Sequence, residues 1–411
     1  VTLRPSVPPP PPAPREVEPV DAENSALAWE DDEGGDEVME LQSADVLVPD
    51  EIVVPPQPAA RASPSLPPAP PEDRGSTSEL PVPLGDPRAE VAPSSVGMPA
   101  MGKGSRERDA LFEKVRRAPL QSDGYRALSD HFDHVGDADR ATLLLEIAKA
   151  LDGDPNAAPR APRLILSATD RAGLKHPALR GDAGELLGLS GLGLCRIFPT
   201  RGDASGSGRE FHLESGRGAP SAAEALIVGV RVLGLRAPEV HLATDNGPPF
   251  SCVFPGRVRI LVGRLAVKKQ LPDAELRFFA GRALFTQSPD LLALRTLKKE
   301  QVSRALQVLS QVLRGSALSA EARVMRDALP PKTWDRLRQL VETAGKGLDL
   351  NALLEGARHS ANRAGLVVCG GVAPAVTALR AKRALPAELA ELVRFAASER
   401  YLQLRMRRLA K

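Results

Sequence analysis

From Glu16 to Glu51 the chain carries 14 acidic residues and not one Lys or Arg. Like charges at that density repel one another, and few apolar side chains are present to offset the entropy lost on ordering. Proline reinforces the effect. Pro8–Pro12 is an unbroken run, and 22 of the 39 prolines fall in the first 100 residues, which favours extended polyproline II over packed structure. Residues 1–105 are therefore expected to form a disordered, Pro-rich acidic arm. About 300 residues remain, enough for a sizeable core.

The net charge of +2 conceals a split. Residues 1–105 hold 19 acids and 6 bases, whereas residues 106–411 hold 33 acids and 48 bases. A basic globule joined to an acidic arm can bind that arm in cis, another acidic partner, or a polyanion. Within the arm, Trp29 (in Ala28–Asp32) and Leu47 and Ile52 (in Leu47–Val54) are apolar residues embedded in acid, the composition of a short docking segment or of plain linker. Aromatic residues make up only 3% of the chain, which argues against stacking platforms for nucleic acid. No nucleic-acid reader motif is present.

Cys195, Cys252 and Cys369 lie far apart and form no CxxC pair. That excludes a zinc knuckle or a disulfide framework and suits a reducing, cytoplasmic setting. The best membrane candidate, Ala364–Leu379, is short and interrupted by Gly370, Gly371 and Pro374, so no membrane span is expected. No signal peptide is visible. The chain opens on Val1, which leaves room for an upstream segment and for a targeting signal within it. The abundance of Ala, Arg, Gly and Pro points to a GC-rich bacterial source.

Residues 106–154 show apolar residues at helical spacing, among them Leu111, Val115, Tyr125, Leu128, Leu144 and Ile147. Gly136 is placed to end one helix and Asp137 to cap the next. This Gly-Asp turn before an alanine-bearing helix resembles the second half of a tetratricopeptide unit. A single unit cannot bury its own face, so it must pack on the following domain or on upstream repeats.

After the Pro-rich joint at Pro155–Pro162, residues 155–411 read as α+β. Helices are expected over 177–197 and 220–235, a Gly/Ser-rich loop over 201–209, and short strands around Val240–Leu242, Cys252–Phe254 and Val258–Val262. Helices then follow over 273–287, 299–314, 318–328, 332–345, 350–369 and 386–409. The fold class is thus mostly helical α+β, with one small sheet. The last helix is basic, with Arg400, Arg405, Arg407, Arg408 and Lys411.

Chemistry-bearing motifs are sparse. Among six histidines only His131 and His134 are close in sequence, and their i,i+3 pair would need ligands from a second element to hold a metal. His359 reads as an ordinary polar helix residue. Gly188, Gly191 and Gly193 do not make a dinucleotide fingerprint, and close helix packing accounts for them better. Ser190 lacks a nucleophile elbow. Arg201-Gly202-Asp203 matches an integrin-like tripeptide in spelling only.

The order of elements over 220–370 carries more. A strand pair and a strand Val258–Val262 lead through Leu271-Pro272-Asp273-Ala274-Glu275-Leu276 into a helix that continues Arg277-Phe278-Phe279-Ala280-Gly281-Arg282-Ala283-Leu284-Phe285-Thr286. A later helix carries Arg358-His359-Ser360-Ala361-Asn362-Arg363. This arrangement resembles the HtpX-like zinc peptidases, which are related to the CAAX prenyl endopeptidases. In that family the first helix bears HExxH and the second an E-x-x-x-D-R-type motif.

The resemblance places Arg282 at the first zinc ligand, Ala283 at the general base and Thr286 at the second ligand. The third-ligand Glu falls on Arg358, and the motif's Asp falls on Asn362. Zinc peptidase chemistry needs two imidazoles one turn apart, a third ligand, and a carboxylate to take a proton from bound water. Arg cannot release its proton to bind a metal, and Ala has no group that could accept one as a base. Glu275, Asp273, Glu355 and His359 are the residues from which a site would have to be rebuilt.

The expectation is therefore a non-catalytic protein-interaction scaffold. It combines a helical repeat with a pseudo-peptidase domain, no cofactor, no metal, and a protein partner whose identity is open. Arg282, Arg358 and Arg363 either converge on an anion or acidic peptide, or Arg282 faces solvent while Arg363 makes a structural salt bridge. The alternatives are an active metal-dependent peptidase with an unrecognised site, and a polyanion or nucleic-acid binder.

Overall fold

The computed structural model describes residues 103–154, 159–199, 207–243, 247–268, 270–315, 319–344 and 347–409. The acidic arm, with Trp29, Leu47 and Ile52, lies outside them, as does Arg201-Gly202-Asp203. Three helices come first: α1 (Lys103–Arg117), α2 (Ser122–His134) and α3 (Ala138–Asp152). Tyr125, Leu128 and Phe132 of α2 repeat at helical spacing and are buried together with Leu144, Ile147 and Ala148 of α3. The turn between them is as the sequence indicates. Gly136 takes the left-handed φ of 83°, and the Asp137 carboxylate accepts from the backbone N–H of Arg140 at 3.1 Å.

The remaining elements are α4 (Ala168–Leu174), α5 (Gly181–Ile197), β1 (Ser207–Glu210), α6 (Pro220–Leu233), β2 (Glu239–Ala243), β3 (Phe250–Val253), β4 (Arg259–Val262) and α7 (Arg264–Val267). They continue with α8 (Asp273–Phe285), α9 (Pro289–Thr296), α10 (Lys299–Leu313), α11 (Ala320–Ala328) and α12 (Trp334–Ala344). The chain closes with α13 (Leu350–Cys369), α14 (Val372–Ala381), α15 (Pro386–Ala396) and α16 (Glu399–Leu409). The fold is α+β and mostly helical. Its sheet has the order β1-β2-β4-β3, with β2 and β4 parallel and the outer pairs antiparallel.

Several expectations need correction. Part of the segment expected as a loop forms β1, whose Ser-Gly-Arg-Glu sequence has no apolar alternation and is held by pairing with β2. Helices α4, α9 and α14 were not expected. Pro289 and Pro374 lie in the first turns of α9 and α14, where a missing N–H costs little, so proline there starts a helix rather than breaking one. The expected helix 386–409 is two helices. At the break the Ser398 hydroxyl donates to the Phe395 carbonyl at 2.6 Å and accepts from the Tyr401 N–H at 3.3 Å. No helix among the described residues is long and apolar enough to cross a membrane.

Helix α3 packs on α14 and α16. The Glu146 carboxylate of α3 accepts from the Val372 N–H at 2.8 Å and pairs with Arg405 of α16. Arg380 of α14 donates to the carbonyl of Leu151 at 2.7 Å. Helices α1–α3 therefore cover part of their face with the C-terminal helices of the same chain.

At the centre lies α8. Every residue from Ala274 to Phe285 is buried, because α6, α13, α14 and β3 pack around it. Its crossing with α13 depends on two glycines. A Cβ on Gly281 would stand 3.0 Å from the Gly365 Cα, and a Cβ on Gly365 would stand 2.7 Å from the Phe278 carbonyl oxygen. Of the α5 glycines, Gly191 and Gly193 pack closely against Pro289 and Met325, whereas Gly188 faces open space. Replacing Gly365 by Ala is expected to cost about 1–3 kcal/mol through overpacking of backbone against backbone. Urea unfolding of the variant checks this, and an unchanged midpoint would show that the crossing is not tight.

Candidate functional site

Of the positions singled out by the zinc-peptidase resemblance, Arg282, Ala283 and Thr286 at the α8 end and Asn362 of α13 are buried, whereas Arg358 is half-buried. Arg282, Ala283 and Thr286 are 7%, 6% and 4% exposed, and Asn362 is fully buried. The expectation that Arg282 faces solvent is thus corrected. With protein packed around α8, this side chain keeps only a small exposed remnant, on a cavity between α8 and β3.

The counter-charge comes from α15. Glu388, also buried, accepts a hydrogen bond from Asn362 Nδ2 at 2.7 Å through Oε1. The same oxygen lies 3.8 Å from Lys382 Nζ and 4.0 Å from Arg282 Nη2. Burial works to raise the Glu388 carboxyl, but Arg282, Lys382, the Asn362 hydrogen bond and Arg358 outweigh it and hold the group below the ordinary carboxylate value. The Arg282 guanidinium also stands over the Phe278 and Phe279 rings, 5.8 and 6.0 Å from their centroids. Thr286 spends its hydroxyl proton locally, donating to the Arg282 carbonyl at 3.0 Å.

The three arginines do not converge on one point. Arg282 and Arg358 both act on Glu388. Arg363 instead pairs with Glu391, one turn further along α15, donates to the carbonyls of Leu174 and Lys175, and lies 4.8 Å over the Phe395 ring. Arg358 is half-buried and lines a separate groove with Lys298, Lys299 and Leu385.

Glu388 and Glu391 were missed in the sequence. The signal was an acid repeating at i,i+3 among Leu389, Leu392 and Val393, so that both carboxylates share the apolar face of α15.

A cavity of about 100 Å³ opens between α8 and β3, with Arg282, Ala283 and Thr286 on one wall and Ser251 and Cys252 on the other. Arg295 of α9 also lines it. Surrounding protein pushes the Cys252 thiol well above its ordinary range, so the thiol stays protonated and supplies no anion. Cys195 is likewise pushed up, to about 11.

The residues from which a metal site would be rebuilt are scattered. Glu275 is buried in α8 and its carboxyl is raised by burial. Asp273 and Glu355 are exposed. His134 contacts the Asp130 carbonyl through Nδ1 at 2.6 Å, and His131 packs edge-on against Phe132. Among the described residues, no three His, Cys, Asp or Glu side chains are grouped to hold a metal ion.

His359, which reads in the sequence as an ordinary polar helix residue, is half-buried in α13. It packs against the His176 ring with centroids 5.3 Å apart, and its Nδ1 lies 3.8 Å from Glu391.

Comparison with family models, curated proteins and solved structures gives no match. The zinc-peptidase likeness therefore rests on the two sequence motifs alone.

His176 and His359 are both held below the ordinary imidazole value. Burial is the main cause for each, joined by the Arg363 charge. Their unfolded forms bind protons first, so stability is full above about pH 6.5 and falls as the pH drops below it toward the depressed folded values. Denaturant midpoints are expected to fall between about pH 7.5 and 5.5. The His176→Gln/His359→Gln double variant should flatten that fall. An equally steep loss in the variant would assign it to other groups.

Proposed function

We propose that this chain is a non-catalytic protein-interaction protein, built on a scaffold resembling a zinc peptidase and preceded by tetratricopeptide-like helices. One observation carries the reading. Where the reaction needs His, Glu and His, the chain has Arg282, Ala283 and Thr286, and the arginine is buried beside Glu388 and Asn362. A guanidinium cannot ligate a metal, and its charge opposes a divalent cation at the same place. No residue on this wall can take a proton from water at neutral pH.

What the scaffold still offers is an edge. Among the described residues β3 pairs only with β4 and ends the sheet beside the cavity. Its outer backbone groups suit an extended peptide added as a further strand. The basic C-terminal helix supports a nucleic-acid reading less well. Arg400 and Arg407 reach Asp170, and Arg405 reaches Glu146, so these cations are committed to acids of the same fold. All three cysteines are free, which fits the proposed cytoplasmic setting.

Metal content of the purified chain, measured by mass spectrometry after dialysis without chelator, tests the reading. Less than about a tenth of an equivalent of zinc is expected, with no chelator-sensitive peptidase activity. Near one equivalent, together with such activity, would establish a metal-dependent hydrolase instead.

A further inference from the structure

Beside the cavity between α8 and β3, the fold leaves buried hydrogen-bond donors of Arg282 unanswered. Arg282 is 93% buried by its 7% exposure, yet its Nε and Nη2 make no hydrogen bond. Its nearest carboxylate oxygen, on Glu388, stands 4.0 Å away, beyond hydrogen-bond distance, and is already engaged with Asn362 and Lys382. Buried guanidinium N–H groups without acceptors are costly, and a bidentate oxyanion is the acceptor they fit best. The Arg282 side chain also lines this cavity, which provides the space. It holds about 100 Å³, several times the roughly 10–15 Å³ that one water needs on the same measure. Arg295 adds a second cation to the lining, and the neighbouring Cys252 thiol stays neutral.

We propose that this cavity is a carboxylate-binding site, with the Arg282 guanidinium as its principal donor and Arg295 as its second cation. The walls choose among oxyanions. Pro248, Phe250, Phe279 and Ala283 are apolar and suit the carbon next to a carboxylate better than the full polar shell of a phosphate. The Ser251 and Thr286 side chains complete the polar part of the lining. The carboxylate belongs either to a free small acid or to the C-terminus of a peptide lying along β3. This inference rests on the non-catalytic reading, because a zinc ion at the same place would remove the need for an anion at Arg282. The two fail separately. Stoichiometric zinc ends the first, whereas zinc-free protein that ignores carboxylates ends only the second.

The test is calorimetric titration of the full chain, zinc-free, at constant ionic strength with chloride as the reference anion. The probes are sodium acetate and a short N-acetylated peptide with either a free or an amidated C-terminus. Saturable binding of acetate or of the free-acid peptide is expected, with the amide at least about tenfold weaker than the acid. Acetate and acid peptide binding equally well would identify a small-acid site. Preference for the peptide acid would identify a C-terminus site. Arg282→Gln should weaken binding about tenfold or more, and the half-buried Arg295→Gln, which perturbs folding less, several-fold. No carboxylate binding above chloride, equal binding of acid and amide, or undiminished binding by Arg295→Gln together with any folded Arg282→Gln protein would overturn the proposal.

Discussion

From Ala274 to Phe285 every residue of helix α8 is buried, and the arrangement of the rest follows from that constraint. A helix enclosed by α6, α13, α14 and β3 must be apolar around its whole circumference or have each polar group answered from inside the protein. Its sequence is only partly apolar. Arg277 is answered by carbonyls, donating to Pro159 at 2.7 Å and Cys369 at 3.3 Å. Arg282 has only the more distant Glu388 carboxylate and two phenylalanine faces. The position of α15, and of the Lys382 turn before it, thus reads as a consequence of placing a cation in the centre of the fold.

Charge is distributed around α15 in two adjacent groups. Glu388 gathers Arg282, Lys382 and Asn362, and Glu391 gathers Arg363 and the Nδ1 edge of His359. Buried pairs of this kind add little net stability relative to apolar packing, since desolvation consumes most of the attraction, but losing one member leaves a buried charge unanswered. Their contribution is to fix α8, α13 and α15 in one register. The site inherits its rigidity from that, because the same three helices place Arg282 against the edge of β3.

Much of the fold was legible from local pattern. The period of Tyr125, Leu128 and Phe132, the Gly136-Asp137 turn, and the alternation in β2 and β4 are local signals, and each element formed where they stood. β1 was not legible, because Ser207 to Glu210 owe their strand conformation to pairing with β2. The candidate site divided in the same way. Arg282, Ala283, Thr286 and Asn362 were picked out by the motif, and their helices, α8 and α13, by apolar spacing. Burial of Arg282 could not be read, since an arginine in a helix looks like a solvated face until the helix is known to be enclosed. Glu388 and Glu391 stayed hidden because their meaning comes from residues on α8 and α13, remote in sequence, and the segment carrying them looked like the start of one basic helix.

The central claim is that a buried ion group centred on Glu388 answers the cation that Arg282 places in the enclosed core. A double-mutant cycle between Arg282 and Glu388 tests it most directly, with Arg282→Met, Glu388→Gln and the double variant compared by denaturant unfolding. A favourable coupling on the order of 1 kcal/mol or more is expected, with the double variant less damaged than the sum of the singles. Additivity within about 0.3–0.5 kcal/mol would contradict the claim, since it would mean that the two groups do not act on each other.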